Sequence, residues 1–416
     1  MLDGDEGAGV AMAMRVIVAT CRSLGAAHLV EVESAHVDSC LYHGQVSLDF
    51  VRALGDRGAR VRVPATLNVG SVDLLHPATI LRRNPSEVQA FTEGRALMEA
   101  YVGLGCTPSF TCAPYQLPDR PGLGSHVAWA ESNAIVFANS VLGARTERYG
   151  DFIDICCAVT GLAPYAGLHT DAGRRATAVF DCSGLPSPLL DNELSYPLLG
   201  YLVGSRTPWG VPVLEGLDRR ADEDRLKALG AAAASAGGTA LYHVVGVTPE
   251  APTLDAVLPV DGEIERHRVT VDDLEAARSE LTTSSGARLD AVTIGTPHAS
   301  LAEIRSVAAL LSSTPPFDPD VTVYLSTGRS VLADARVEGL VDVLDQHGVT
   351  VLVDTCTYVT SVLVARVRTV MTNSGKWAHY APANLGVDVA IGSLEECLES
   401  AVRGEVTLRP LGGVGQ

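Results

Sequence analysis

Between Cys106 and Gly150 the chain reads CTPSFTCAPYQLPDRPGLGSHVAWAESNAIVFANSVLGARTERYG. Cys106, Cys112, His126, Glu131, Asn133, Asn139, Arg145, Thr146, Glu147 and Arg148 stand there among apolar runs too short to be elements of their own. Such runs read as the buried side of segments whose other side faces a site. The flanking prolines and glycines make loops that a rigid scaffold can aim. Glu131 follows the apolar HVAWA. A carboxylate so placed is expected to be buried, with a raised pKa suited to proton transfer, or else to pair with a nearby arginine. The arginines of GARTER can hold a carboxylate bidentately or form surface ion pairs.

A second group of candidates is dispersed. The nine cysteines are odd in number and include no CxxC pair, which argues against a disulfide framework and a zinc ribbon. Any metal site must collect distant ligands. Cys112 lies in a proline-rich loop, Cys356 ends an apolar strand, and Cys397 opens a helix whose dipole favours thiolate. Three thiolates would leave an iron with an open coordination site, a Lewis acid for a hydroxyl or carboxylate. Spacing alone leaves buried apolar fillers as the competing reading. Lysine occurs only as Lys227 and Lys376. In TNSGKWAHYAP, Lys376 is a candidate base or hydroxyl-positioning group; the alternative is a solvated lysine beside packed Trp377 and Tyr380. His36 follows a short strand, where α/β folds place ligand-binding groups, or it is a satisfied loop histidine.

These stretches resemble the aconitase X family, iron–sulfur dehydratases related to aconitase. The resemblance is carried in order by Val32–Cys40, Val63–Asp73, Cys106–Gly150, Ile294–Glu303, Leu352–Cys356, Thr372–Pro382 and Gly392–Ala401. It implies Lys376, Glu131 and His36 as catalytic groups. It implies a substrate cavity lined by Ser34, Thr66, Asn68, Ser132, Asn133, Asn139, Arg145, Thr146, Arg148 and Ser374, with Arg145 the first choice for a substrate carboxylate. It implies an iron–sulfur cluster ([2Fe-2S], [3Fe-4S] or [4Fe-4S]) on Cys112, Cys356 and Cys397, with Cys106 a competitor. Some relatives carry a cysteine where Thr296 stands, which fits an incompletely ligated cluster here.

The implied reaction is loss of water from a small β-hydroxy acid. The run TERYGDFIDICCAVTG resembles the bacterial proline-type members, so the expected substrate is cis-3-hydroxy-L-proline, giving Δ1-pyrroline-2-carboxylate. Mevalonate 5-phosphate dehydration, a non-catalytic cluster-binding protein and a zinc or mononuclear iron site are the alternatives. The family pairs this portion with a small swivelling domain, fused or separate. The motifs fill residues 32 to 401, so a separate small subunit is the expected partner.

The elements that must position these groups are legible in part. Residues 8–26, 87–104, 151–161, 221–236 and 269–281 read as helices; 28–32, 61–63 and 241–247 read as strands. From Leu289 apolar strands alternate with amphipathic helices, the pattern of parallel βαβ units. Thr296–His298, Ser326–Arg329 and Asp354–Cys356 fall at the carboxyl ends of those strands, where such sheets bind ligands. The expected fold is α/β, an aconitase-like three-layer α/β/α arrangement with mainly parallel sheets in two lobes. The lobes are about 1–185 and 217–416, joined by a Pro- and Gly-rich connector about 186–216. Apolar content is 47% and charged content 19%, enough for a large core. A net charge of −18 disfavours nucleic acid and anionic membrane surfaces as partners. The N-terminal MLDGDEGAGVAMAMRV lacks a basic region before an apolar one, so no secretory signal is expected and the cytoplasm is.

Overall fold

Strands buried on both faces, with no polar alternation, call for parallel pairing under helices. The computed structural model, which describes residues 1–217, 220–284, 288–363 and 367–411, has three such sheets. The first sets β2 (Ala35–Val37) between β3 (Ala65–Leu67) and β4 (Ala128–Trp129). Beside it β1 (Leu29–Glu31) pairs antiparallel with β5 (Leu162–Pro164). The second has the order β8-β7-β6-β9, from β6 (Ala178–Asp181), β7 (Pro212–Glu215), β8 (His243–Val244) and β9 (Glu265–Arg268).

The third sheet is built from β10 (Ala291–Ala299), β11 (Thr322–Thr327), β12 (Val349–Leu352), β13 (Thr369–Thr372) and β14 (Asp388–Ile391). Its order is β12-β11-β10-β13-β14, all parallel. The chain moves outward from β10 to β12, then returns to the other side of β10. The reversal leaves a crevice at the carboxyl ends of β10 and β13, where open α/β sheets bind ligands. Every residue of β10 is buried. The helices that follow β10, β13 and β14 start on side-chain caps; Ser300 with Glu303 and Ser393 with Glu396 form complete capping boxes.

The helices Ser195–Arg206 and Glu223–Gly237 pack at backbone distance. A Cβ on Gly200 would lie 2.1 Å from the Leu229 carbonyl oxygen, and one on Gly204 2.5 Å from that of Ala233. The alanine run 231–234 supplies the matching small surface. Residues 186–216, expected as a connector, therefore hold two helices and β7, a strand inside the second sheet. Pro188 and Pro197 sit in the first turns of these helices, where a missing N–H costs nothing. Two strand expectations shift: 61–63 lies before β3, and 241–247 shrinks to β8. Among the described residues no helix is long and apolar enough to cross a membrane.

Candidate functional site

The first and third sheets point their carboxyl ends at a common cavity of about 390 Å³. Asp38 follows β2, Asn68 follows β3, and Glu131 and Ser132 follow β4. From the opposite side come Thr296 on β10, Cys356 beyond β12 and Lys376 beyond β13. Thr296 and Lys376 flank the crevice at which the strand order reverses. No residue of the second sheet lines this cavity among the described residues.

Lys376 and Glu131, far apart in sequence, form a buried ion pair. Glu131 holds a left-handed backbone (φ 72°) and caps the helix Ser132–Phe137, its Oε2 accepting from the Ala134 N–H at 2.8 Å. Ser132 Oγ donates to Glu131 Oε1 at 3.1 Å and lies 3.3 Å from Lys376 Nζ. Burial alone would raise the Glu131 pKa, but Lys376 and the backbone N–H groups outweigh it and hold the carboxyl below its ordinary range. This corrects the expected raised pKa: the partner is a lysine that no nearby sequence announces. Burial opposes the charge on Lys376, yet Glu131 raises its pKa well above the usual value. Lys376 is thus a donor and Glu131 an ionised acceptor.

Cys112 and Cys356 share a small apolar cluster with Val69 on the cavity wall. The His298 backbone N–H donates to Cys112 Sγ at 3.2 Å, and Asn133 Nδ2 donates to the Cys112 carbonyl at 2.9 Å. Burial pushes both thiols up to about 12. Two convergent, backbone-oriented thiols fit a thiophilic iron centre in donor type. The expected third ligand does not join them. Cys397 packs under the third sheet with Val292, Met371 and Ala390, its thiol 4.0 Å from the Gly392 carbonyl oxygen. Cys106 belongs to the main core instead. Among the described residues no three His, Cys, Asp or Glu side chains form a metal-binding group. The hydroxyl-bearing Thr296 lines the same cavity as the two thiols.

The arginines separate. Arg145, the first choice from sequence, pairs with Asp171 at 2.5 Å, donates to the His169 carbonyl at 3.0 Å and lines a different cavity. Arg148 lines the main cavity, has no ion-pair partner among the described residues and buries an unpartnered Nη1. Asn139 spends its amide on Thr146, Ala240 and Arg174, and the Thr146 hydroxyl is tied to the Trp129 backbone. Both brace the loop and neither lines the cavity. Asn133 likewise positions Cys112 from outside it.

His36 is fully buried behind the wall. Its Nδ1 meets Thr66 Oγ1 at 2.8 Å, Nε2 is unpartnered, and burial lowers its pKa to about 4. The expectation that His36 faces the substrate is not met: among the described residues it does not line the cavity. Ser34 accepts from the Trp129 indole at 3.2 Å. Ser374 caps the helix Gly375–Leu385, bonds to the Thr296 carbonyl and faces a second cavity of about 250 Å³. Ser34, Thr66 and Ser374 therefore support the walls rather than line the site. Arg329 is held bidentately by Asp354 at 2.5 and 2.6 Å.

Sequence reasoning missed Asp38, whose carboxyl lines the cavity. The signal was available: Asp38 is the first residue beyond β2, and the carboxyl ends of strands are where such sheets bind ligands.

Family models for the aconitase X first, second and third domains match residues 1–172, 176–279 and 289–403, one for each parallel sheet. The chain is 40% identical over 407 residues to the cis-3-hydroxy-L-proline dehydratase of Pseudomonas aeruginosa, covering 97% of this chain and 69% of that protein. It is 39% identical to the enzyme of the same name from Hypocrea jecorina, covering 97% and 67%. The phosphomevalonate dehydratase large subunit of Methanocaldococcus jannaschii is 34% identical, with 96% of this chain and 97% of that one covered. The crystal structure of Thermococcus kodakaraensis aconitase X in its holo form superposes with a TM-score of 0.85 at 30% identity, covering 96% and 97% of the two chains.

Proposed function

This chain belongs to the aconitase X family, and on that premise we propose that it is a hydro-lyase that dehydrates cis-3-hydroxy-L-proline to Δ1-pyrroline-2-carboxylate. The observation that carries the substrate choice is the charge of the cavity wall. Its basic side chains among the described residues are Lys376, already paired with Glu131, Arg148 and the imidazole of His43, so its guanidinium and ammonium groups number two. One unpaired arginine suits one carboxylate; a phosphate with a further carboxylate calls for more cations.

Arg148 binds the substrate carboxylate. Lys376, charged throughout, donates a hydrogen bond to the leaving 3-hydroxyl or to the enolate oxygens that develop as the α-proton leaves. Glu131, ionised and 6% exposed, accepts a proton. Cys112 and Cys356 would hold the iron–sulfur centre, which when bound supplies a Lewis acid for the departing hydroxyl. Loss of the hydroxyl and the α-proton leaves an enamine, which tautomerises to the cyclic imine by losing the N–H proton and gaining one at C3.

A second reading, mevalonate 5-phosphate dehydration, is favoured by the 34% and 36% identity to archaeal large subunits named for that reaction. Their name also supports a separate small subunit as a partner, and we place the pair in the cytoplasm. The test is imine formation by anaerobically prepared protein, with any neighbouring-gene small subunit, coupled to a Δ1-pyrroline-2-carboxylate reductase. Turnover of hydroxyproline is expected. Turnover of mevalonate 5-phosphate alone would select the second reading.

A further inference from the structure

We propose that Asp38 is the residue that selects an amino acid over other hydroxy acids, by accepting the ring ammonium of the substrate in the cavity that Arg148 also lines. The inference rests on the dehydratase reading and deepens it.

Asp38 is held in place by its backbone. Its N–H and that of Ser39 donate to Asp154 Oδ2 at 2.7 and 3.1 Å, and Ser39 Oγ donates to Asp154 Oδ1 at 2.9 Å. Asp154 is itself fully buried, so the turn after β2 cannot swing its carboxyl away. The side chain is aimed by Asn68, whose Nδ2 donates to Oδ1. Oδ2 has no hydrogen-bond partner among the described residues, and it is not among the buried unpartnered atoms. It therefore opens onto the cavity that Asp38 lines.

The surroundings make this carboxyl short of a cation. The buried carboxyl on the wall, Glu131, has Lys376, whereas Asp38 is half-buried. Asp38 has no ion-pair partner among the described residues, and Glu131, Asp151 and Asp154 add negative charge around it. Burial, with Glu131 next, pushes its pKa up to about 7, so ionisation is costly until a positive group arrives. A secondary ammonium supplies that group and two N–H donors. A phosphate or a second carboxylate in the same corner would meet the repulsion of all of these groups. A zwitterion with its carboxylate on Arg148 and its ammonium on Asp38 meets a group of opposite charge at each end.

The test compares binding and turnover of cis-3-hydroxy-L-proline with those of cis-2-hydroxycyclopentane-1-carboxylate, in which a methylene replaces the ring nitrogen. Wild-type protein, Asp38→Asn and Asp38→Ser are prepared anaerobically with any small subunit. Loss of a charge-assisted hydrogen bond is expected to weaken hydroxyproline about 10- to 100-fold in KM, with a smaller change in kcat. The carbocyclic acid should bind the variants as well as, or better than, wild type. The serine variant covers the case in which the asparagine variant fails to fold. Equal affinity for hydroxyproline in wild type and variants overturns the inference alone, as does an equal loss for both compounds. A wild type that neither binds nor converts hydroxyproline overturns the dehydratase substrate and this inference together.

Discussion

The chain has two lysines and buries both, but in different company. Lys227 lies 2.9 Å from Asp224 Oδ1 and also pairs with Glu303, tying the helix Glu223–Gly237 to the capping box after β10. Lys376 has a single carboxylate, Glu131, and a hydroxyl, Ser132. Both amines are held charged, yet the carboxylates differ. Glu303 shares its lysine with Asp224, and burial wins, raising its pKa; Glu131 has its lysine alone and is lowered. Among the described residues no thiol lines the cavity beside Lys227. Around Lys376 stand Cys112, Cys356 and a carboxyl without a cation. Lysine scarcity is therefore no guide to chemistry; convergence with other unpaired groups is.

The contrast is sharpened most by the cysteines. Cys112→Ser and Cys356→Ser should each lose most of the iron and the visible absorption of anaerobically purified protein, while Cys397→Ser keeps both. Iron analysis that finds the loss in Cys397→Ser instead would return the third ligand to the position the structure rejects. Next in size is Lys227→Met. Leaving two partly exposed carboxylates against one another should cost about 3 kcal/mol in denaturant unfolding. A variant as stable as wild type would mean that this pair does not brace the fold.

Two smaller effects follow. Arg148→Gln should raise KM about tenfold or more, and Arg145→Gln should leave it within a factor of about two. The reverse ranking would move the carboxylate site to the Asp171 side. The smallest effect is in pH dependence. His36 has an ordinary value of 6.5 and a folded value of about 4. The fold favours its neutral form, so its contribution is present above 6.5 and is lost as pH falls toward 4. Stability should rise with pH in that window by about 1.4 kcal/mol per unit from this residue. His36→Gln should remove that part of the slope in urea titrations at pH 4.5 and 6.5. An unchanged slope would show that His36 titrates normally.

Much of the third sheet was legible because parallel, doubly buried strands leave continuous apolar runs between amphipathic helices. The first sheet was not. Its strands have two or three residues, too few for a pattern, and the strand read at 61–63 formed at 65–67. Cys397 was misread for a physical reason. A helix N-terminus favours thiolate but says nothing about which face the thiol occupies. Leu394, Cys397, Leu398 and Ala401 form a helical apolar stripe, and that stripe faces the sheet. Arg145 and Arg148 look alike in GARTER, and only the distant Asp171 distinguishes them. The Lys376–Glu131 pair spans most of the chain and leaves no local trace.

The central claim is that the Lys376 site performs the reaction and the Lys227 site only supports the fold. The most direct test is kcat for Δ1-pyrroline-2-carboxylate formation from cis-3-hydroxy-L-proline, measured side by side for Lys376→Met and Lys227→Met below their unfolding temperatures. A fall of about 10³-fold confined to Lys376→Met is the predicted result. Equal losses in the two variants, or a Lys376→Met protein with wild-type kcat, would contradict it.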